Sequence, residues 1–222
     1  MKSKCITPIC KICFKDINID NLHSLIHFPI ICNSCIKNMN PVLRKFYIDD
    51  VTGLFLYEYN EEIRKLIFLY KGNKDYELKD VFIYNYKAYL KYLFKGYEAI
   101  YVPSSEDRIK ERGFDHCKEL FNLLSLKVNS KAIKLTNDKQ SSKNYKERIN
   151  NKGNFKLLNP ELIKDKKILI LDDICTTGST LKEMIRIIKN HNPKDIKILV
   201  IAKRVFSKEE IKKIKNKDMV LN

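Results

Sequence analysis

The chemistry of this sequence is concentrated in one run, Ile168-Leu-Ile-Leu-Asp172-Asp173-Ile-Cys-Thr176-Thr177-Gly178-Ser179-Thr180. Four apolar residues read as a buried strand, two adjacent carboxylates stand at its end, and a loop of small and hydroxyl residues opens a helix. Gly178 and its neighbours allow several backbone N–H groups to converge on one phosphate at a helix N-terminus, where the helix dipole also favours an anion. The hydroxyls of Thr176, Thr177, Ser179 and Thr180 add donors. Asp172 and Asp173 would repel a phosphate, and their chemistry is to accept hydrogen bonds from vicinal sugar hydroxyls about one ribose away. A ribose carrying a 5′-phosphate satisfies both halves. Helix capping, the competing assignment, needs one Asp and leaves the second unexplained.

A second cluster lies near the N-terminus. Cys10-x-x-Cys13 and Cys32-x-x-Cys35 are separated by eighteen residues, a spacing suited to a four-thiolate Zn²⁺ site. Each pair presents two sulfurs, and a tetrahedral ion would close the module without a large core. Four protein ligands describe a closed, structural site. Unligated or redox thiols are the alternative. Cys5 lacks the spacing, His23 and His27 read as incidental, and Cys117 and Cys175 read as packing residues.

Stepping outward, the elements that must hold these groups alternate between strand and helix. Val51 to Tyr59 alternates in the strand manner. Glu61 to Tyr70 carries a helical stripe of Ile63, Leu66, Ile67 and Tyr70, stopped at Lys71-Gly72. A longer helical pattern runs from about Leu78 to Phe94. Strands are expected at Ala99 to Val102, Ala132 to Leu135, Ile168 to Leu171 and Ile196 to Ala202, with helices at about Asp115 to Leu126 and Ser179 to Asn190. Thr136 to Asn154 is polar, Lys-rich and aperiodic, and reads as a long mobile loop. This rhythm implies an open, mostly parallel α/β sheet with ligand sites at the carboxyl ends of its strands. The expected division is a Cys-rich module at residues 1–40 and an α/β domain at 41–222.

Around such a site, the Pro103 to Asp107 loop leaves a strand end, where Ser104, Ser105 and backbone N–H groups would meet a leaving diphosphate. Arg108 and Arg112 are four apart and suit one helix face, as fork-shaped donors to the same anion. Lys139, Lys143, Lys146 and Arg148 lie on the polar loop, which could close over a ligand and exclude water. Ordinary surface charge is the competing account of these cations.

Composition sets the limits. With 222 residues and 44% hydrophobic content, the chain can bury one ordinary core plus a small appendage. No apolar run is long enough to span a membrane, and the N-terminus has no sustained apolar segment of the secretory kind. Membrane insertion is not expected, and the cytoplasm is the expected compartment. There thiols stay reduced, which argues against a disulfide framework for the seven cysteines. Lys plus Arg number 43 against 27 Asp plus Glu, a net charge of +16, which attracts polyanions such as nucleic acid. Solvated helix faces and an AT-rich coding bias account for the same lysines, so charge by itself does not decide.

LDDICTTGST resembles the signature of type I phosphoribosyltransferases, which bind 5-phosphoribosyl 1-pyrophosphate (PRPP). The resemblance implies that Thr176 to Thr180 hold the 5′-phosphate, that Asp172 and Asp173 hold the ribose hydroxyls in the catalytic centre, and that Mg²⁺ bridges pyrophosphate and ribose oxygens. Three further segments are similar to one branch, the ComF family. They are Val102-Pro103-Ser104-Ser105 with Arg108 and Arg112-Gly113-Phe114, then Gln140 with Arg148, Asn151, Gly153 and Phe155, and the N-terminal Cys-x-x-Cys pair. Asp115-His116 stands where that family has Asn-Gln. Membership implies a zinc ribbon on a PRPP-binding domain, a role in DNA uptake during natural transformation, and contact with single-stranded DNA and uptake proteins. A phosphoribosyltransferase of nucleotide salvage and a PRPP-sensing regulator are the other readings. No residue stands out as an obligatory base, and phosphoribosyl transfer through an oxocarbenium-like centre needs none.

Overall fold

The computed structural model describes residues 7–19, 28–135 and 154–205. Strands β1 (Pro41–Ile48), β2 (Val51–Glu58), β3 (Tyr97–Tyr101), β6 (Lys167–Cys175) and β7 (Asp195–Lys203) form one sheet in the order β1-β2-β7-β6-β3. β2, β7, β6 and β3 run parallel, and β1 pairs antiparallel with β2 at the edge. β4 (Lys131–Lys134) and β5 (Phe155–Leu158) form a separate antiparallel pair. The helices are α1 (Asn33–Met39), α2 (Glu61–Lys71), α3 (Lys87–Leu93), α4 (Glu106–Arg112), α5 (His116–Phe121) and α6 (Ser179–Lys189).

Apolar side chains enter the sheet on both faces because parallel strands are covered on both sides. Along β6, Ile168 and Ile170 pack into one buried cluster with Leu181, Met184, Ile185 and Ile188 of α6. Leu169 and Leu171 pack into the other, with Ile63, Leu66, Ile67 and Tyr70 of α2 and with Cys117, Leu120 and Phe121 of α5. The architecture is therefore three layers, helix–sheet–helix. The same α2 face also buries Cys10, Ile17, Ile31, Cys35 and Met39, so the Cys-rich segment shares a core with the sheet.

Helix α2 follows its sequence signals closely. Asn60 Oδ1 accepts a hydrogen bond from the Ile63 N–H at 2.8 Å, and Glu61 and Glu62 occupy the first turn. Three expectations need correction. The segment from Leu78 to Phe94 is not one helix: it comprises 3₁₀ turns at Tyr76–Asp80 and Tyr84–Tyr86 followed by α3. Val81, Phe82 and Ile83 are all buried together there, which a single-striped helix would not allow. The strand near Ala132 belongs to the β4–β5 pair and not to the parallel sheet. β1 was not expected at all, because Pro41 read as the end of the Cys-rich module, not as the start of a strand.

β1 is held by an aromatic-on-glycine contact. Phe46 lies directly opposite Gly53 and meets Phe55 edge-on at 6.0 Å between centroids. A Cβ at Gly53 would fall 2.3 Å from Phe46 Cε1. Gly53→Ala is expected to lower stability by about 1–3 kcal/mol through this overpacking, read as a lower midpoint in urea denaturation at unchanged slope.

Candidate ribose-phosphate site and thiolate cluster

β6 extends through both acids to Cys175, so Asp172 and Asp173 are strand residues and neighbours on a strand point to opposite faces. Asp172 lines a small cavity with Ile174, Cys175, Thr176, Thr177, Gly178, Ser179, Thr180 and Leu181. Asp173 faces the other way, where the end of α2 and the start of α5 meet. Both are buried, at 8% and 5% exposure, which is unusual for carboxylates and demands partners.

Asp173 has them. Lys71 Nζ donates to its Oδ2 at 2.5 Å, and His116 Nε2 stands 3.6 Å from its Oδ1. Arg112 closes the ring: its Nε donates to the Lys71 carbonyl at 3.0 Å, and its NH1 lies 2.9 Å from His116 Nδ1. Arginine can only donate, so Nδ1 is the accepting nitrogen in this contact and Nε2 is the one that faces Asp173. Ser104 Oγ also reaches Nδ1, at 3.0 Å, and Tyr70 Oη holds the His116 carbonyl at 2.9 Å.

These surroundings divide the two acids electrostatically. Burial, then the charge and hydrogen bonding of Asp173, push the Asp172 carboxyl well above its usual range. For Asp173, burial also acts upward, but the His116 hydrogen bond and the Lys71 charge outweigh it and hold the carboxyl low. The two neighbouring carboxyls are thus shifted in opposite directions.

The loop that opens α6 is shaped by Gly178, whose φ of 82° is left-handed, and whose missing Cβ would lie 3.1 Å from Ile48 Cδ1 of β1. Thr177 Oγ1 accepts from the Ser179 N–H at 3.4 Å and pairs with Ser179 Oγ at 3.2 Å. Thr176, Thr177 and Ser179 are exposed. The β1–β2 turn braces α6 behind the loop, through Lys182 Nζ to Asp49 at 3.0 Å and Lys189 Nζ to Asp50 at 2.5 Å.

Of the other residues singled out in the sequence, Ser104 and Arg112 reach the His116 ring beside Asp173. Ser104 and Ser105 lie between β3 and α4, with Ser105 as the cap of α4, and Arg108 and Arg112 are both on α4. Arg148, Gln140, Asn151, Gly153, Lys139, Lys143, Lys146, Cys5, His23 and His27 lie outside the described residues. The roles of Lys71 and His116 were not foreseen. Lys71 read as a helix end and His116 as a departure from a motif; no local signal ties either to an acid so far along the chain. Cys117 is buried, with its Sγ donating to the Leu171 carbonyl at 3.2 Å, and Cys175 is also buried, as packing residues should be.

The Sγ atoms of Cys10, Cys13, Cys32 and Cys35 all lie within 4.8 Å of one another, and Cys13 and Cys32 sulfurs are 3.8 Å apart. Tetrahedral thiolates about 2.3 Å from one ion are spaced by about 3.8 Å, so the donor set fits a metal such as zinc. Burial opposes charge on Cys10, yet N–H groups of Cys13, Cys32 and Ile12 outweigh it and bring its pKa to about 7. Burial, hydrogen bonding and the neighbouring thiols raise Cys35. A bound cation would relieve that crowding.

Residues 109–220 match the family model of the phosphoribosyl transferase domain. The chain belongs to this family. It is similar to the competence protein ComFC of Streptococcus pneumoniae, with 29% identity over 148 residues, covering 67% of this chain and 66% of that protein. It is also similar to ComFC of Bacillus subtilis, 28% identical over 128 residues, with 57% and 53% coverage. The chain therefore spans just under two thirds and about half of the lengths of these relatives, as a ComF-like phosphoribosyltransferase-fold protein. A purine phosphoribosyltransferase of Pyrococcus horikoshii shares 19% identity at a TM-score of 0.33, over 57% of this chain and 72% of its own. Among the described residues, no helix is long and apolar enough to cross a membrane.

Opposite stability effects are expected at the two acids. Unfolded, each carboxyl ionises near 3.8. Folded Asp172 keeps its proton to higher pH, so its contribution is present below that value and falls as pH rises through the folded pKa. Folded Asp173 loses its proton earlier, so its contribution is present above that value and is lost as pH falls through the folded pKa. Asp172→Asn should therefore raise the melting temperature at neutral pH. Asp173→Asn should lower stability by about 2 kcal/mol by leaving Lys71 without its counter-charge. Thermal melts of both variants from pH 3 to 8, on the order of that range, distinguish them; equal effects would refute the asymmetry.

Proposed function

We propose that this protein binds Mg-PRPP at the β6 carboxyl end and supports DNA uptake in natural transformation. The carrying observation is the joining of two buried carboxylates to a helix-opening loop of hydroxyls and backbone N–H groups on one strand end. Thr176, Thr177, Gly178, Ser179 and Thr180 hold the 5′-phosphate, and Asp172 and Asp173 accept hydrogen bonds from the ribose hydroxyls. Ser104, Ser105, Arg108 and Arg112 face the diphosphate, and Arg148, which lies outside the described residues, is a further donor to it. Mg²⁺ comes with the ligand and offsets the diphosphate charge beside the acids.

Lys71 and His116 are positioning residues. They hold Asp173 ionised and oriented before the ligand arrives, so that its acceptor geometry needs no reorganisation. Transfer itself requires a nucleophile to bond to ribose C1 while the C1–O bond to diphosphate breaks. The electron pair leaves on diphosphate, and any acceptor proton passes to solvent. Positioning and charge stabilisation suffice for that chemistry, which supports a phosphoribosyltransferase activity.

The thiolate cluster holds structural Zn²⁺, and the net charge of +16 suits a single-stranded DNA partner. The names of the ComFC relatives support the competence role, and the cytoplasm is the compartment in which incoming single strands would be met.

Calorimetric titration of the zinc-loaded protein with Mg-PRPP tests the site. Saturable binding is expected, lost in Asp172→Asn/Asp173→Asn, whereas a wild type that takes up no PRPP would overturn the reading. Chelation of the metal, or Cys10→Ser, should lower the melting temperature cooperatively because Cys10 and Cys35 sit in the α2-face core. Metal analysis should return one Zn²⁺ per chain, on the order of a single four-thiolate site.

A further inference from the structure

The sequence shows no segment that would recognise an acceptor, but the fold builds a groove where one belongs. It is lined by Tyr59, Glu61, Arg64, Lys65, Ile67, Phe68, Lys71 and Gly72, closed on the far side by Arg108 and Arg112 of α4, with a volume of about 860 Å³. That lies in the range of small-molecule sites, about 300–1,000 Å³. Its inner end is the Lys71–Arg112 corner, and Lys71 is the residue whose ammonium touches Asp173. Lys71 thus both lines the groove and pairs with the ribose acid.

Its chemistry is one-sided. Five cations line it against a single carboxylate, Glu61. Lys71 is paired with Asp173, and Arg112 is committed to the Lys71 carbonyl and His116. Arg64, Lys65 and Arg108 are exposed and have no acidic partner among the described residues. Between these charges stand Tyr59 and Phe68, the latter 63% exposed, a surface suited to a flat apolar body. Three free cations around an aromatic wall select a ligand that combines a planar body with fixed negative charge.

We propose that this groove is the acceptor site, and that the acceptor is a small flat molecule bearing a carboxylate or phosphate rather than a neutral base. This rests on the reading of the acid pair as a ribose site. The acceptor's nucleophilic atom forms the bond to ribose C1 as diphosphate departs with the electron pair, and its own anionic group stays on Arg64 and Lys65, with Arg108 left to the diphosphate. A neutral body would leave those cations without a partner.

The test uses the whole zinc-loaded protein and two fluorescent probes of similar shape, anionic anilinonaphthalenesulfonate and neutral phenylnaphthylamine. The anionic probe should bind more tightly than the neutral one. Arg64→Ala/Lys65→Ala should weaken it about fivefold, as two exposed charge contacts would, without changing the melting temperature or the Mg-PRPP affinity. The anionic probe should also bind when Mg-PRPP is saturating. Equal binding of both probes, or no change in the variant, sinks the proposal. Displacement of the probe by Mg-PRPP would make the groove the diphosphate site instead. Displacement by oligothymidylate, with strand affinity lost in the same variant, would make it a nucleic-acid channel. Absence of any Mg-PRPP binding would refute the ribose reading by itself, while the probe and oligonucleotide results would still decide what the groove takes.

Discussion

A buried carboxylate in need of a counter-charge is the constraint on which much of this structure depends. Asp173 sits on β6, an interior strand of the sheet, with almost no access to water, and an unpaired charge there would be costly. The fold meets that demand by bringing the C-terminus of α2, the last turn of α4 and the first turn of α5 to one point. Lys71, Arg112 and His116 each come from a different helix; Lys71 and His116 face the acid, and Arg112 is bonded to both of them. Helix placement on this face and the electrostatics of the site are therefore one problem with one solution.

The alternation of a strand then separates two residues that look equivalent in sequence. Asp173 turns to the α2 face and is held ionised. Asp172 turns to the loop of α6, where burial and then the charge of Asp173 push its carboxyl up. The helix-opening loop lies on the Asp172 side of the strand. Behind the loop, Ile48 and the Asp49–Asp50 turn fix α6 from the sheet edge, so the loop rests on a braced support.

The thiolate cluster is tied to the same architecture. Cys10 and Cys35 belong to the buried layer that contains Tyr70, Phe121 and Leu171. A metal that organises the four sulfurs would thereby also fix the layer from which Lys71 reaches Asp173. Structural metal chemistry and ribose chemistry are linked by packing and not by direct contact.

Features written within a few consecutive residues were legible from the sequence alone. The acid pair, the T-T-G-S-T loop, the two Cys-x-x-Cys knuckles, the capped helix α2 and the strand of β6 each depend on local spacing, and local spacing survives translation into structure. The order of strands and the partners of the acids do not. Lys71 and Asp173 are 102 positions apart, and nothing in either neighbourhood names the other. The segment from Leu78 to Phe94 misled because its apolar residues are buried all round by tertiary packing, which overrides a helical period. β1 escaped notice because its role is to pair Phe46 with Gly53 and to press Ile48 on Gly178, contacts that exist only once the sheet has formed. The amino-acid sequence determined which chemical groups this protein carries. Only the tertiary structure decided which of them share a charge, because a buried ion is assigned its partner by packing across the whole fold.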